Sequence, residues 1–239
     1  MEYRHIPQNE FSDLSDRILY EDNHIMVINK RAGEIVQGDK TGDECLAETY
    51  KAFIAQRDNK PGKVFMGIPH RLDRPVSGIT VLAKTSKALE RLSEMFRSGD
   101  IHKTYWALCC GKPSPEAGEL TDYLIRDEKR NKSFICGKAS PGSDAKLARL
   151  KYRYLQSTDR YHLLEVELLT GRHHQIRCQL ANIGCIIKGD LKYGAPRSNP
   201  DGGICLLSRK IEFIHPVKKS QVCVTAPIPA SWKGISPEP

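Results

Sequence analysis

No apolar run in this chain approaches the length that a bilayer-spanning helix needs, so an integral membrane helix is excluded. The first residues, MEYRHIPQNEF, contain neither a positive leader nor an apolar core, so nothing marks them for secretion and a cytoplasmic location is expected. There is no CxxC pair. The eight cysteines are scattered, with Cys109 and Cys110 adjacent and others inside apolar runs such as Ile204–Leu206, which argues against a disulfide framework or a zinc site. Buried, reduced thiols acting as small hydrophobes are the expectation. Acidic residues are the minority, 29 against 37 Lys and Arg, for a net charge of +8. That excess supplies the sequence-independent attraction a polyanion needs and favours nucleic acid over acidic protein partners. Internal repeats and low-complexity segments are also lacking. What remains is ordinary for a globular protein: 239 residues, 39% hydrophobic and 28% charged, enough to bury a real core.

Residues 1–17 read as an N-terminal tail. Ile18–Tyr20, a turn at Asp22-Asn23, and Ile25–Ile28 read as a hairpin. Glu44–Arg57 carries Leu46, Tyr50, Phe53 and Ile54 at helical spacing. The strand Ile79–Ala83 is followed by Thr85 or Ser86 as the cap of a helix whose face is Leu89, Leu92, Met95 and Phe96, stopped by Gly99. Thr104–Cys110 alternates as a strand, and Gly111–Gly118 is the expected internal boundary. Further strands are expected at Leu147–Leu155, His162–Leu169, Ile204–Ile214 and Val222–Ala226, with one helix from about His173 to Ile183. The mixed, irregular period points to an α+β fold with a largely antiparallel central sheet and flanking helices. One domain is expected over residues 18–230, with a C-terminal tail at 231–239.

Four segments could carry chemistry. In HRLDRPVSG, His70–Gly78, Arg71 and Arg74 flank Asp73 and favour its ionised form. Pro75 and Gly78 mark a constrained loop, although an ordinary surface ion pair has the same local composition. In TGRHHQIR, Thr170–Arg177, a helix starting near His173 would offer backbone N–H groups to an anion. If regular, it would put His173 and Arg177 on one face, with Arg177 placed for a bidentate pair with a buried carboxylate. Adjacent histidines point apart and no further ligand sits at a suitable spacing, so no metal is expected there. Tyr105 and Trp106 face opposite sides of one strand; one fills the core and the other is available to a base. Finally, Arg149, Lys151 and Arg153 share one strand face, and Lys129 and Arg130 stand in the preceding turn. They read as an RNA-backbone stripe or, equally, as the solvated face of an antiparallel sheet.

In order along the chain, Ile18–Asn23 with Val27–Lys30, HRLDRPVSG, Leu82–Thr85, Lys103–Tyr105 with Ala107-Leu108, TGRHHQIR, KGDLKYG at Lys188–Gly194 and Phe213–Pro216 resemble the RluA-type RNA pseudouridine synthases. The resemblance runs from about Ile18 to Pro229. It implies the pseudouridine synthase catalytic fold and conversion of specific uridines to pseudouridine in structured RNA, tRNA or large-subunit rRNA, without cofactor or metal. The target base would be flipped into a pocket. Asp73 matches the family's catalytic aspartate, Tyr105 its active-site tyrosine and Arg177 the arginine that orients the aspartate. Arg71 matches the residue that takes the place of the flipped nucleotide, Ile176 walls the pocket, and Arg74, Arg172 and His174 fall on the substrate side. Lys30-Arg31-Ala32-Gly33, Pro75-Val76 and His173 depart from the usual pattern, but none removes a residue that does chemistry.

The match begins by Ile18, so target choice is expected to rest on the catalytic domain's own surface, acting as a monomer. A kinase-like reading fails because Leu72 interrupts the His-Arg-Asp order and no Gly-rich phosphate loop is present. A glycoside hydrolase needs a second carboxylate across the substrate, and none stands out. The alternative of a different class is a non-catalytic RNA-binding or ribosome-assembly protein on the same scaffold.

Overall fold

A computed structural model describes residues 3–38, 42–137 and 144–236. The chain gathers into two compact units, Met1–Ile101 with Lys210–Ala226, and His102–Arg209 with Pro227–Pro239. The division falls after the helix stop at Gly99, not within 111–118 as expected. Residues 117–127 are instead paired along their length inside the second unit.

In the first unit, β1 (Ile18–Glu21), β2 (Ile25–Lys30) and β3 (Ser77–Ala83) form an antiparallel meander. Both faces of β3 are buried, which fits its continuous apolar run. The turn between β1 and β2 closes on Asp22, whose Oδ1 accepts the backbone N–H groups of His24 and Ile25 at 2.7 and 2.9 Å. Helix α2 (Leu46–Arg57) lays Tyr50, Phe53 and Ile54 against Met26, Ile28 and Leu82. Helix α3 (Ser86–Ser98) starts at Thr85, whose Oγ1 accepts the Ala88 N–H. It ends at Gly99, where φ is +88°, a conformation glycine adopts without a Cβ penalty.

The expected N-terminal tail is in fact folded. Helix α1 (Gln8–Asp16) buries Leu14, packs Phe11 on Phe53 with ring centres 4.6 Å apart, and receives the Tyr50 hydroxyl on the Leu14 carbonyl. Two apolar residues one turn apart suffice because α2 supplies the rest of the surface. The C-terminal tail is likewise corrected in part, since Trp232 is buried. Residues 1–2 and 237–239, the ends of both expected tails, lie outside the described residues.

The second unit is built from β4 (His102–Cys109), β8 (His162–Leu168), β7 (Lys146–Ser157), β5 (Ala117–Asp127) and β6 (Lys132–Cys136), paired in that order and antiparallel throughout. Helix α4 (Gln175–Asn182) and a 3-10 turn (Leu191–Tyr193) pack together, with Cys178 and Tyr193 against Leu124 and Ala148. Strand β9 (Leu206–Ile214) runs across the boundary into the first unit, where its end pairs with β10 (Gln221–Thr225). The turn between them holds His215, whose Nδ1 accepts from the N–H groups of Val217 and Lys218. Its Nε2 lies 2.9 Å from Asp22 Oδ2, so the β9–β10 turn is tied to the β1–β2 turn. The α+β class with antiparallel strand pairs is as expected. Five cysteines are buried, while Cys110 and Cys223 are exposed, so the buried-thiol expectation does not extend to those two.

Candidate active site

In the first unit the site begins with strand register. Pairing sets Lys30, at the end of β2, opposite Gly78 at the start of β3, beside the loop that carries Asp73. The Lys30 side chain is 1% exposed. Its ammonium donates to the carbonyls of Arg31, Arg74 and Val76 at 3.0, 3.0 and 2.7 Å, one acceptor for each proton. Burial pushes its pKa down to about 8, against the opposing pull of Glu34 and Asp73.

The loop is fixed at its other points as well. The Val76 N–H donates to the Asp73 carbonyl at 3.0 Å, closing a turn over Arg74 and Pro75. His70 accepts the Val81 N–H on Nε2 at 2.8 Å and stacks on Phe96 with ring centres 4.2 Å apart. Gly33, at φ +91°, donates its N–H to the Arg74 carbonyl, and the Arg74 Nε donates back to the Gly33 carbonyl at 3.0 Å. Arg74 also pairs with Asp43. Its side chain therefore anchors the loop. Asp73 is half-buried and Arg71 exposed.

The second unit holds the other expected residues. Tyr105 lies on β4 opposite Val166 and is buried, as is Trp106, so both faces of β4 are covered. The Trp106 ring carries the Arg209 guanidinium at 4.6 Å. The helix expected from His173 begins two residues later. His174 takes φ +52°, unusual for a residue with a Cβ, and turns the chain before α4. His173 therefore precedes the helix and does not share a helical face with Arg177, which corrects the expected spacing. Gln175 locks the turn: its Oε1 accepts from Thr170 Oγ1 and the Arg172 N–H, and its Nε2 donates to the Arg149 carbonyl. Arg172 Nε reaches the Leu147 carbonyl at 2.9 Å.

Arg177 is 4% exposed and finds its buried carboxylate in Asp190, itself 1% exposed. Nε and Nη2 donate to the two Asp190 oxygens at 2.7 and 2.8 Å, a side-on bidentate pair. The Tyr193 ring stands 5.2 Å from the guanidinium carbon. The Tyr193 hydroxyl donates to the Ser133 carbonyl and accepts the Ser133 N–H, so His174 Nδ1 meets it at 3.1 Å as an N–H donor. Burial, with Arg177 close by, pushes the His174 pKa down to about 2, so the ring is neutral. His174 is thus held against Tyr193, whose ring stands beside Arg177. Ile176 is buried beside it. Asp190 and Tyr193 escaped the reading of residue chemistry, although both lie in the KGDLKYG segment; their signal was the unplaced carboxylate that a buried Arg177 requires.

The β7 stripe is self-neutralised. Arg149 pairs with Glu119 at 2.7 Å, Arg153 with Glu165 at 2.8 Å, and Lys151 stands 3.8 Å from Glu167. Lys129 and Arg130 lie in the β5–β6 turn, exposed.

The sequence model of the RNA pseudouridylate synthase family matches residues 24–182. The chain belongs to that family. It is 32% identical to the uncharacterized RNA pseudouridine synthase YhcT of Bacillus subtilis over 95% of this chain and 72% of the relative. It is 31% identical to ribosomal large subunit pseudouridine synthase D of Xanthomonas campestris over 91% and 67%. An RNA pseudouridine synthase of Chlorobaculum parvum is 33% identical, and there the chain spans 61% of the relative's length. The fold is that of human RNA pseudouridylate synthase domain containing 4, with a TM-score of 0.77, 24% identity and 92% of each chain covered. The chain is a pseudouridine synthase, an enzyme that isomerises uridine in RNA.

Proposed function

We propose that this enzyme acts on large-subunit ribosomal RNA, with Asp73 as its catalytic carboxylate, Tyr105 against the flipped base and Arg177 orienting the aspartate. The overall change replaces the C1′–N1 bond of uridine by a C1′–C5 bond; the C5 proton leaves and N1 gains one. The atoms and electrons of that exchange balance without a co-reactant. Asp73 acts at the ribose while the base is detached, and Tyr105 handles the proton at C5. The observation that carries the assignment is the immobilised loop: a buried ammonium, a glycine N–H and a histidine hold the backbone that presents Asp73. Such preorganisation suits a group that must stand within reach of one ribose carbon. Arg71, exposed near Asp73, takes the place of the extruded nucleotide on this reading. The preference for large-subunit rRNA over tRNA rests on relatives such as ribosomal large subunit pseudouridine synthase D of Xanthomonas campestris and synthase C of Buchnera aphidicola. The enzyme works as a cytoplasmic monomer on this reading.

Mapping pseudouridine in total RNA with and without the gene tests the proposal. Sites in large-subunit rRNA are expected to vanish on deletion, to return with the wild-type gene and to stay absent with Asp73→Asn. Restoration by Asp73→Asn overturns the aspartate's role, and loss confined to tRNA overturns the target. Unchanged maps with altered RNA folding would instead support a ribosome-assembly protein.

A further inference from the structure

Two groups of cations on the second unit contrast. Those on the outer face of β7 each face a carboxylate from β5 or β8 across the sheet. Those around the β5–β6 turn, Arg130 apart, do not. Arg126, Lys129, Lys132 and Lys192 form no ion pair among the described residues, and the turn's Asp127 is engaged by Arg130 at 3.5 Å. Glu128 is the other carboxylate of the turn.

Several of these side chains are already held in place. Lys192 donates to the carbonyls of Arg130 and Asn131 at 3.3 and 3.0 Å, which joins the 3-10 turn to the hairpin tip. Lys132 lies over the rings of Tyr193 and Phe134, at 4.8 and 5.2 Å. Arg126 Nη2 reaches Asn131 Oδ1 at 3.5 Å. Backbone carbonyls and ring faces position a cation without neutralising it, so the charge stays available while much of the rotamer entropy is already lost. The positive field reaches inward: after burial, the charges that depress the His174 imidazole include Arg177, Lys192 and Arg126. Tyr193 links the cluster to the buried arginine, with Lys132 over its ring and Arg177 5.2 Å from it.

We infer that the β5–β6 turn and the 3-10 turn together form a phosphodiester-binding surface for substrate RNA, with Arg126, Lys129, Lys132 and Lys192 as its contacts, and that the β7 stripe is not part of it. This rests on the reading of the chain as an enzyme acting on RNA. A carboxylate-paired arginine must give up its partner before it can take a phosphate, whereas the turn cations have none to give up. Each phosphate neutralised on a single strand changes the slope of log affinity against log salt by about 0.7.

Binding of poly(U), which presents phosphates without requiring the target sequence, separates the two surfaces. Affinity is measured across a potassium chloride series for wild type, Arg126→Ala/Lys192→Ala and Arg149→Ala/Arg153→Ala. The turn double variant is expected to bind about tenfold more weakly near physiological salt, with the slope reduced by about 1.4. The β7 double variant is expected to keep the wild-type slope. Lys129→Glu, on an exposed side chain, gives a second reading should loss of Lys192 loosen the 3-10 turn, and it too should weaken binding. A wild-type slope in Lys129→Glu and the turn double variant, or an equal loss in the β7 variant, overturns the assignment. A wild-type enzyme that converts no uridine in total RNA, but binds poly(U) through the turn, would instead overturn the enzymatic reading alone.

Discussion

Arg177 and Asp190 form an ion pair buried from both sides, with side chains 5% and 1% exposed and two N–H···O contacts of 2.7 and 2.8 Å. Such a pair adds little net stability, because desolvation of both charges offsets their attraction. Its value lies in direction. The side-on contact fixes the plane of the guanidinium, and the Tyr193 ring lies 5.2 Å from its central carbon. Asp190 is thus a positioning residue for Arg177.

Asp190→Asn should therefore cost both stability and rate, but the two losses are separable. Leaving Arg177 buried beside a neutral amide should destabilise the fold by about 3 kcal/mol, and a misplaced arginine should lower kcat about a hundredfold. Replacing both partners, Arg177→Met with Asp190→Leu, should recover most of the stability in urea unfolding and none of the rate. Recovery of rate in that double variant would mean that the pair serves packing only.

The same pair shows where residue-level reading of the sequence stops. A buried Arg177 demanded a carboxylate, and spacing alone did not say which, because the partner lies thirteen positions on, beyond the end of α4. His174 misled for a local reason. A left-handed residue inside an otherwise helical pattern leaves no periodic trace, so α4 was expected two residues too early. Strands β5 and β6 were missed because their faces are mostly exposed or half-buried, without the apolar alternation that marked β7. By contrast, β1–β3 and α3 were legible because their apolar period and the caps at Thr85 and Gly99 agree with the packing. The HRLD loop was legible as a motif, but its anchorage on Lys30 depends on strand register.

Helix α1 carries a stability prediction. Leu14 is buried and its carbonyl receives the Tyr50 hydroxyl at 3.1 Å, while Phe11 covers Phe53. Leu14→Ala should destabilise the chain by about 3 kcal/mol, the ordinary cost of a buried leucine deletion. A free tail would show almost no change. Urea unfolding of the full chain decides between them.

Lys30 couples the loop that carries Asp73 to pH. Its folded pKa lies near 8, below the ordinary lysine value of 10.5, because burial disfavours the ammonium. Between those limits the unfolded chain holds more protons than the native one, so the residue's contribution to stability increases as pH rises through that window and is constant, at its lowest, below pH 8. The loop responds in the opposite sense. A neutral amine has two N–H groups for the three carbonyls of Arg31, Arg74 and Val76, and it no longer sets a positive charge near Asp73. Turnover should therefore decline along a limb centred near pH 8, while the stability of wild type relative to Lys30→Met grows over the same interval. Lys30→Met should be slower at every pH and should lack that limb. A limb that survives unchanged in Lys30→Met would assign it to another group and leave Lys30 as a purely structural anchor.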